Sequence, residues 1–151
     1  MKIGLVTSPI NGASVIPVSN YLGILSRFSD IYIITGNHGE ALLQRIKNPN
    51  IHPQYVSYHI ESHIFLKFIR YILGQLKYSC HILRLSGAVE YWIFFTGGER
   101  MFLPMMVARL LRKPVLMYMP GSATRDANFS KDPFSLPTRI LSTMTKRISD
   151  N

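Results

Sequence analysis

The stretch Met1-Lys2-Ile3-Gly4-Leu5-Val6-Thr7-Ser8-Pro9-Ile10-Asn11-Gly12-Ala13-Ser14 opens the chain as a strand running into a small-residue loop. Ile3 to Thr7 is a short apolar run closed by Ser8-Pro9, the pattern of a strand buried on both faces of a parallel sheet. The Asn-Gly loop leads into Val15–Phe28, where Val18, Leu22, Leu25 and Phe28 recur at helical spacing. Pro17 is compatible with that helix in its first turn, where the missing N–H is not needed.

The same alternation continues outward. Ile31–Thr35 is a β-branched strand closed by Gly36-Asn37-His38-Gly39, followed by a short helix over Ala41–Lys47 that Asn48-Pro49-Asn50 stops. Tyr55–His59 reads as a third strand and Ser62–Ser86 as a long helix with Ser62 as its N-cap. Tyr91–Thr96 is a fourth strand, Leu103–Leu111 a helix, and Lys113-Pro114 resets the chain into a fifth strand, Val115–Met119. A polar loop then precedes a last helix over Leu136–Ile148. Strands alternating with helices impose parallel pairing through right-handed crossovers. The expected fold is therefore α/β: a Rossmann-like, open, mainly parallel sheet with helices on both faces, as one domain over residues 1–151.

Composition agrees with a packed domain. Of 151 residues, 47% are apolar and 17% charged, so a core forms without disulfides or metals. The lone Cys80 excludes an intramolecular disulfide framework. No His/Cys spacing of a metal site occurs, so no metal is expected. The amino terminus lacks the apolar core of a signal peptide, and no uncharged apolar stretch reaches the length of a membrane span. A cytoplasmic protein is expected. Seventeen Lys and Arg against eight Asp and Glu give a formal charge of +9. That excess predicts attraction to a polyanion, whether nucleic acid, an anionic membrane or a phosphorylated substrate.

In an open α/β sheet, ligands bind beyond the carboxyl ends of the strands. Three such ends run into small-residue loops: Asn11, Gly12, Ala13 and Ser14 after the first strand, Gly97, Gly98, Glu99 and Arg100 after the fourth, and Gly121, Ser122 and Arg125 after the fifth. Any one of these is an ordinary turn; three on one rim point to a site. Glu99 is able to accept from a substrate hydroxyl or to cap a helix start, and Arg100 to meet a phosphate. Arg125 faces either a phosphate or its neighbour Asp126. The common identities of this topology fail. GxGxxG, the Walker A sequence and GxSxG are all absent.

The long helix carries a second signal. Lys67, Arg70, Lys77, His81 and Arg84 share one stripe, beside a wide apolar arc and with no acidic residue between Ser62 and Ser86. This combination fits a helix lying on an anionic membrane surface, with Lys67, Arg70, Lys77 and Arg84 as its headgroup-facing residues. A core-covering helix with a solvated basic face is the plainer alternative. Nucleic acid is not expected, because no helix-turn-helix, zinc finger or aromatic platform accompanies the charge.

The opening Met1–Thr7 strand with its Gly-containing loop resembles the amino-terminal domain of GT-B glycosyltransferases. So do Phe94-Phe95-Thr96-Gly97-Gly98-Glu99 before a Leu/Ala/Arg-rich helix, and Arg112-Lys113-Pro114-Val115 leading into the fifth strand. The likeness is to glycosyltransferase family 4 (group 1), particularly its archaeal and other prokaryotic members, and covers the whole chain. It implies a two-domain enzyme whose amino-terminal half binds a lipid-linked or glycan acceptor at the membrane. A carboxy-terminal half would bind the nucleotide-sugar donor and carry an E-x7-E element. This sequence has no E-x7-E, since Glu90 and Glu99 flank a strand at the wrong spacing, so it is expected to be the acceptor half alone, a fragment or split subunit, with its donor domain as partner. The resemblance further implies no bound cofactor beyond the nucleotide-sugar substrate, and a peripheral place on the inner face of the cell membrane. Many members have His after the fifth strand; Met119-Pro120-Gly121-Ser122 stands here instead. The competing reading is a non-catalytic, membrane-associated adaptor with the same fold.

Overall fold

The computed structural model of the chain describes residues 1–8, 10, 12–36, 46–57, 64–95 and 100–118. Their elements are β1 (Lys2–Thr7), α1 (Gly12–Leu25), β2 (Asp30–Gly36), β3 (Ile51–Val56), α2 (Ile64–Leu85), β4 (Tyr91–Phe95), α3 (Phe102–Leu110) and β5 (Val115–Tyr118). The five strands form one sheet in the order β3-β2-β1-β4-β5. Every pairing is parallel, with Ile3 beside both Ile31 and Tyr91. The direction of winding reverses between β1 and β4, which makes the crevice at their carboxyl ends the topological switch point. The fold is Rossmann-like, as expected from the alternation of strands and helices.

Period-two alternation splits the core into two layers. Ile3, Leu5, Ile31, Ile33, Ile93 and Phe95 face one side and pack against Val18 and Leu22 of α1. Val6, Ile34, Trp92, Phe94 and Val115 face the other and pack against Tyr78 and Ile82 of α2 and Met105 and Ala108 of α3. Gly4 is needed for space on this second side. A Cβ there would overlap the indole of its neighbour Trp92, 2.6 Å from Cδ2.

Two boundaries differ from the sequence expectation. Helix α1 begins at Gly12 rather than Val15, so Pro17 stands inside it rather than in its first turn. Pro17 removes one donor, to the carbonyl four residues back, while its ring faces solvent. At the other end the helix stops at Leu25, and Phe28 lies in the following turn, 75% exposed and outside the core.

Strand β3 starts at Ile51, ahead of the expected Tyr55. The amides of Asn48 and Asn50 donate to Ser26 Oγ at 2.9 Å and Ser26 O at 3.0 Å. These bonds pin the Asn-Pro-Asn turn beside the start of β2, and pairing therefore begins at Ile31–Ile51. Pro53 is accommodated because β3 is an edge strand. Tyr58 and His59 lie outside the described residues, as do Ser62, most of Ala41–Lys47 and all of Leu136–Ile148.

Candidate functional site

Helices α1 and α3 each follow their strand directly, so both amino termini point to the rim at the carboxyl ends of β1 and β4. Gly12, Ala13 and Ser14 form the first turn of α1. First-turn amides have no intrahelical acceptor and carry the positive end of the helix dipole, an arrangement suited to an anion. No acidic side chain stands in the first turn of either helix. Buried Ile10 anchors the loop into the α1-side core from below.

Beneath this rim lies a buried polar layer. Thr7 Oγ1 donates to Thr35 Oγ1 at 2.9 Å, joining the ends of β1 and β2. The Tyr78 hydroxyl donates to the Thr7 carbonyl at 3.0 Å. Thr7 and Thr35 are fully buried, and their mutual bond satisfies groups that would otherwise be costly to bury.

Of the residues expected after β4, Arg100 is described. Its side chain is exposed, and its carbonyl is held twice from α2, by the Tyr71 hydroxyl at 2.7 Å and Gln75 Nε2 at 2.6 Å. Gln75 Oε1 also accepts the Leu103 amide at 3.2 Å. Met101, the N-cap of α3, makes no side-chain capping bond. Gln75 thus caps α3 from a neighbouring helix and sets where the β4–α3 connection ends. Asn11, Gly97, Gly98, Glu99, Gly121, Ser122 and Arg125 lie outside the described residues. Sequence reasoning missed Tyr71, Gln75 and Tyr78. Their only sequence signal is that they share the side of α2 opposite its apolar stripe.

At the β5 side of the crevice three rings stack. Phe95 lies 4.7 Å from Tyr21 and 4.6 Å from Tyr118 between ring centroids. Burial first, then the nearby phenols of Tyr91 and Tyr118, raises the Tyr21 hydroxyl pKa above its ordinary value. The Tyr21 hydroxyl is therefore a neutral donor at ordinary pH, and the stacked ring faces are apolar surface. Among the described residues no three His, Cys, Asp or Glu side chains gather as a metal-binding group.

Helix α2 presents the other expected surface. At about 100° per residue, Phe65, Ile69, Ile72, Leu76 and Leu83 fall within about 60° of one another, and all are exposed. Leu66, Phe68 and Leu73 widen this stripe and are exposed too. The inward face is Tyr71, Gly74, Gln75, Tyr78, Ser79 and Ile82. Of the basic row, Lys77 and Arg84 are exposed and Arg70 half-buried, along one edge of the apolar stripe. Lys77 Nζ lies 3.4 Å from Ser57 Oγ, just past β3. His81 lies beside them, its pKa lowered by burial and then by Arg84. Among the described residues no helix is long and apolar enough to cross a membrane.

No protein-family model matches the chain, and no curated protein matches it by sequence. Solved structures match it by fold. MurG from Acinetobacter baumannii aligns with TM-score 0.54 and 15% identity, over 87% of this chain and 40% of MurG. UDP-GlcNAc 2-epimerase from Neisseria meningitidis, solved bound to UDP-GlcNAc, aligns with TM-score 0.56 and 14% identity, over 96% of this chain and 39% of the epimerase. The chain thus spans about two fifths of the length of the structures it resembles, 40% and 39%. At these identities the likeness is one of fold. The chain has the Rossmann-like α/β architecture found in GT-B-type proteins.

Proposed function

We propose that this chain is the acceptor-binding, membrane-facing half of a GT-B glycosyltransferase of family 4 kind, working with a separate donor-binding domain. The observation that carries the reading is α2. Its outer face is apolar along its whole length and edged by basic residues, while its inner face holds the rim by the Arg100 carbonyl. A surface built for lipid and a site built for a phosphate-bearing substrate are thereby parts of one rigid unit. The fold neighbours add support, since one of them was solved with a nucleotide-sugar bound.

In this role, the amides of Gly12, Ala13 and Ser14 stabilise the diphosphate as it leaves, aided by the α1 dipole. Asn11, Gly97, Gly98, Glu99, Arg100, Gly121, Ser122 and Arg125 complete the rim around donor phosphates and acceptor. Lys67, Arg70, Lys77 and Arg84 face anionic headgroups on the cytoplasmic side of the cell membrane.

The test is a transfer assay with the chain and its donor-binding domain, whether that domain continues the same gene or is a neighbouring subunit. Release of nucleoside diphosphate from a panel of nucleotide-sugars is measured with vesicles bearing a polyprenyl phosphate acceptor. Donor-dependent release that needs both domains and falls at least tenfold with Gly12→Asp supports the reading, because a carboxylate there repels the phosphates. No release and no binding of any nucleotide-sugar by the pair, with vesicle binding retained, favours the adaptor instead.

A further inference from the structure

Three side chains on one face of α2 reach the rim, and they reach both of its sides. Tyr71, Gln75 and Tyr78 follow one another at helical spacing, so they form a single stripe over about 10 Å of the axis. Tyr78 donates to the carbonyl of Thr7, the last residue of β1, at 3.0 Å. Tyr71 and Gln75 donate to the Arg100 carbonyl at 2.7 and 2.6 Å, and Gln75 also accepts from the Leu103 amide. Strands β1 and β4 are neighbours, with Thr7 beside Phe95. One helix face therefore holds the connections on both sides of the switch point.

The β1–α1 connection is anchored from two directions. Tyr78 holds it at Thr7 from the α2 side, and the buried Ile10 side chain holds it from the α1 side. Gly12 begins α1 directly beyond these anchors. Where β1 releases the chain thus sets where the first-turn amides of α1 point. The Tyr78 ring is 2% exposed, and a phenylalanine would fill the same space in the core. What the hydroxyl adds is a bond to the backbone of the rim. A buried hydroxyl needs an acceptor, and its neighbour Ser79 finds one within α2 itself, the Gln75 carbonyl at 2.8 Å. The Tyr78 hydroxyl instead bonds across 71 residues of sequence.

We propose that Tyr78 is a positioning residue for the phosphate site of the rim. Its hydroxyl fixes the end of β1 and, through it, the first-turn amides of α1, while Tyr71 and Gln75 fix the β4–α3 connection from the same helix face. The separation of the two sides of the crevice is set by α2. A diphosphate held between them meets donors already in place and orders no loop on binding. This rests on the reading of the rim as a phosphate site and adds to it the residues that aim that site.

The test follows the backbone amide resonances of Gly12, Ala13 and Ser14 in the isotope-labelled full chain during titration with inorganic diphosphate. Circular dichroism checks folding and gives thermal midpoints. Tyr78→Phe removes one oxygen and keeps the ring. Ser79→Ala is the matched control, a buried hydroxyl on the same helix whose bond stays within α2. Tyr78→Phe should move the three resonances before ligand is added and weaken diphosphate binding up to roughly tenfold, the value of one hydrogen bond. Ser79→Ala should lower the thermal midpoint and leave resonances and affinity at wild-type values. Tyr71→Phe should fall between the two, because Gln75 still holds the same carbonyl. Para-aminophenylalanine at position 78, which puts a donor back on the same ring, should restore both the resonances and the affinity.

Unmoved resonances and wild-type affinity in Tyr78→Phe overturn the positioning role and leave the phosphate site standing. The same holds if Ser79→Ala weakens binding as much as Tyr78→Phe does, or if the restored donor fails to rescue, since the effect is then one of core stability. A wild-type chain whose Gly12, Ala13 and Ser14 amides ignore diphosphate overturns the phosphate site and the positioning role together.

Discussion

Helices α1 and α2 cover opposite faces of the same sheet with opposite chemistry. Helix α1 turns Val18 and Leu22 fully inward, with Val15 and Leu25 packed at their sides. Helix α2 turns Gln75 and Ser79 inward along with Tyr78 and Ile82, and leaves its row of Phe, Ile and Leu outside. The difference follows from what each helix meets. Helix α1 meets apolar sheet residues, the aliphatic chains of β1 and β2 and the ring of Phe95, where an unpaired polar group is costly. Helix α2 also meets the start of α3, whose Leu103 amide and the Arg100 carbonyl before it need partners. The inward face of a helix is set by the groups its neighbours leave unsatisfied, as well as by its own hydrophobicity.

Four substitutions or titrations break or sharpen this contrast. The largest effect is expected on the inner face of α1. Leu22→Ala leaves a cavity against Ile3 and Ile31 and should lower unfolding free energy by about 2–5 kcal/mol in urea titrations. On the inner face of α2 the sign of the usual rule reverses. Gln75→Leu, a change toward hydrophobicity at a buried site, should destabilise by about 1–3 kcal/mol because it strands the Leu103 amide and leaves the Arg100 carbonyl with the Tyr71 hydroxyl alone of its two donors. If Gln75→Leu proves neutral or stabilising in the same titration, the capping role assigned to it is wrong.

The outer face of α2 should behave as surface. Leu76→Gln is expected to change stability by no more than about 0.5 kcal/mol, while reducing vesicle binding measured by co-sedimentation. A large loss of stability would mean that the stripe is core.

The smallest effect comes from His81 at the basic edge. Burial and Arg84 hold its pKa below the ordinary 6.5. The unfolded chain therefore takes up a proton that the folded one refuses, and stability falls slightly as pH drops below 6.5 toward the folded value. His81→Asn should flatten that part of the stability–pH curve, as measured by urea midpoints at about pH 7.5 and 5.5, roughly one unit either side of the free imidazole value.

Much of this arrangement was legible in the residues. The apolar runs at Ile3, Ile31, Tyr91 and Val115 placed four of the five strands, while the small residues Gly12, Ala13 and Ser14 read as a loop although they form the first turn of α1. The third strand was misplaced because Tyr55–His59 looks more strand-like than Ile51–Val56 with Pro53 in it. Its true start depends on Asn48 and Asn50 bonding to Ser26, partners far away in sequence. Pro17 misled the start of α1 for a related reason. A rule about local backbone cost gave way to the need to bring Val15, Val18 and Leu22 onto the sheet.

What the sequence determined by itself is the alternation of strand and helix, the parallel sheet that follows from it, and the coexistence on one helix of a basic row and a broad apolar arc. These are properties of spacing, and spacing is local. Only the tertiary structure decided which way that arc points. Gln75 and Tyr71 are drawn inward by the Arg100 carbonyl, and a helix cannot turn one face in without turning the opposite face out.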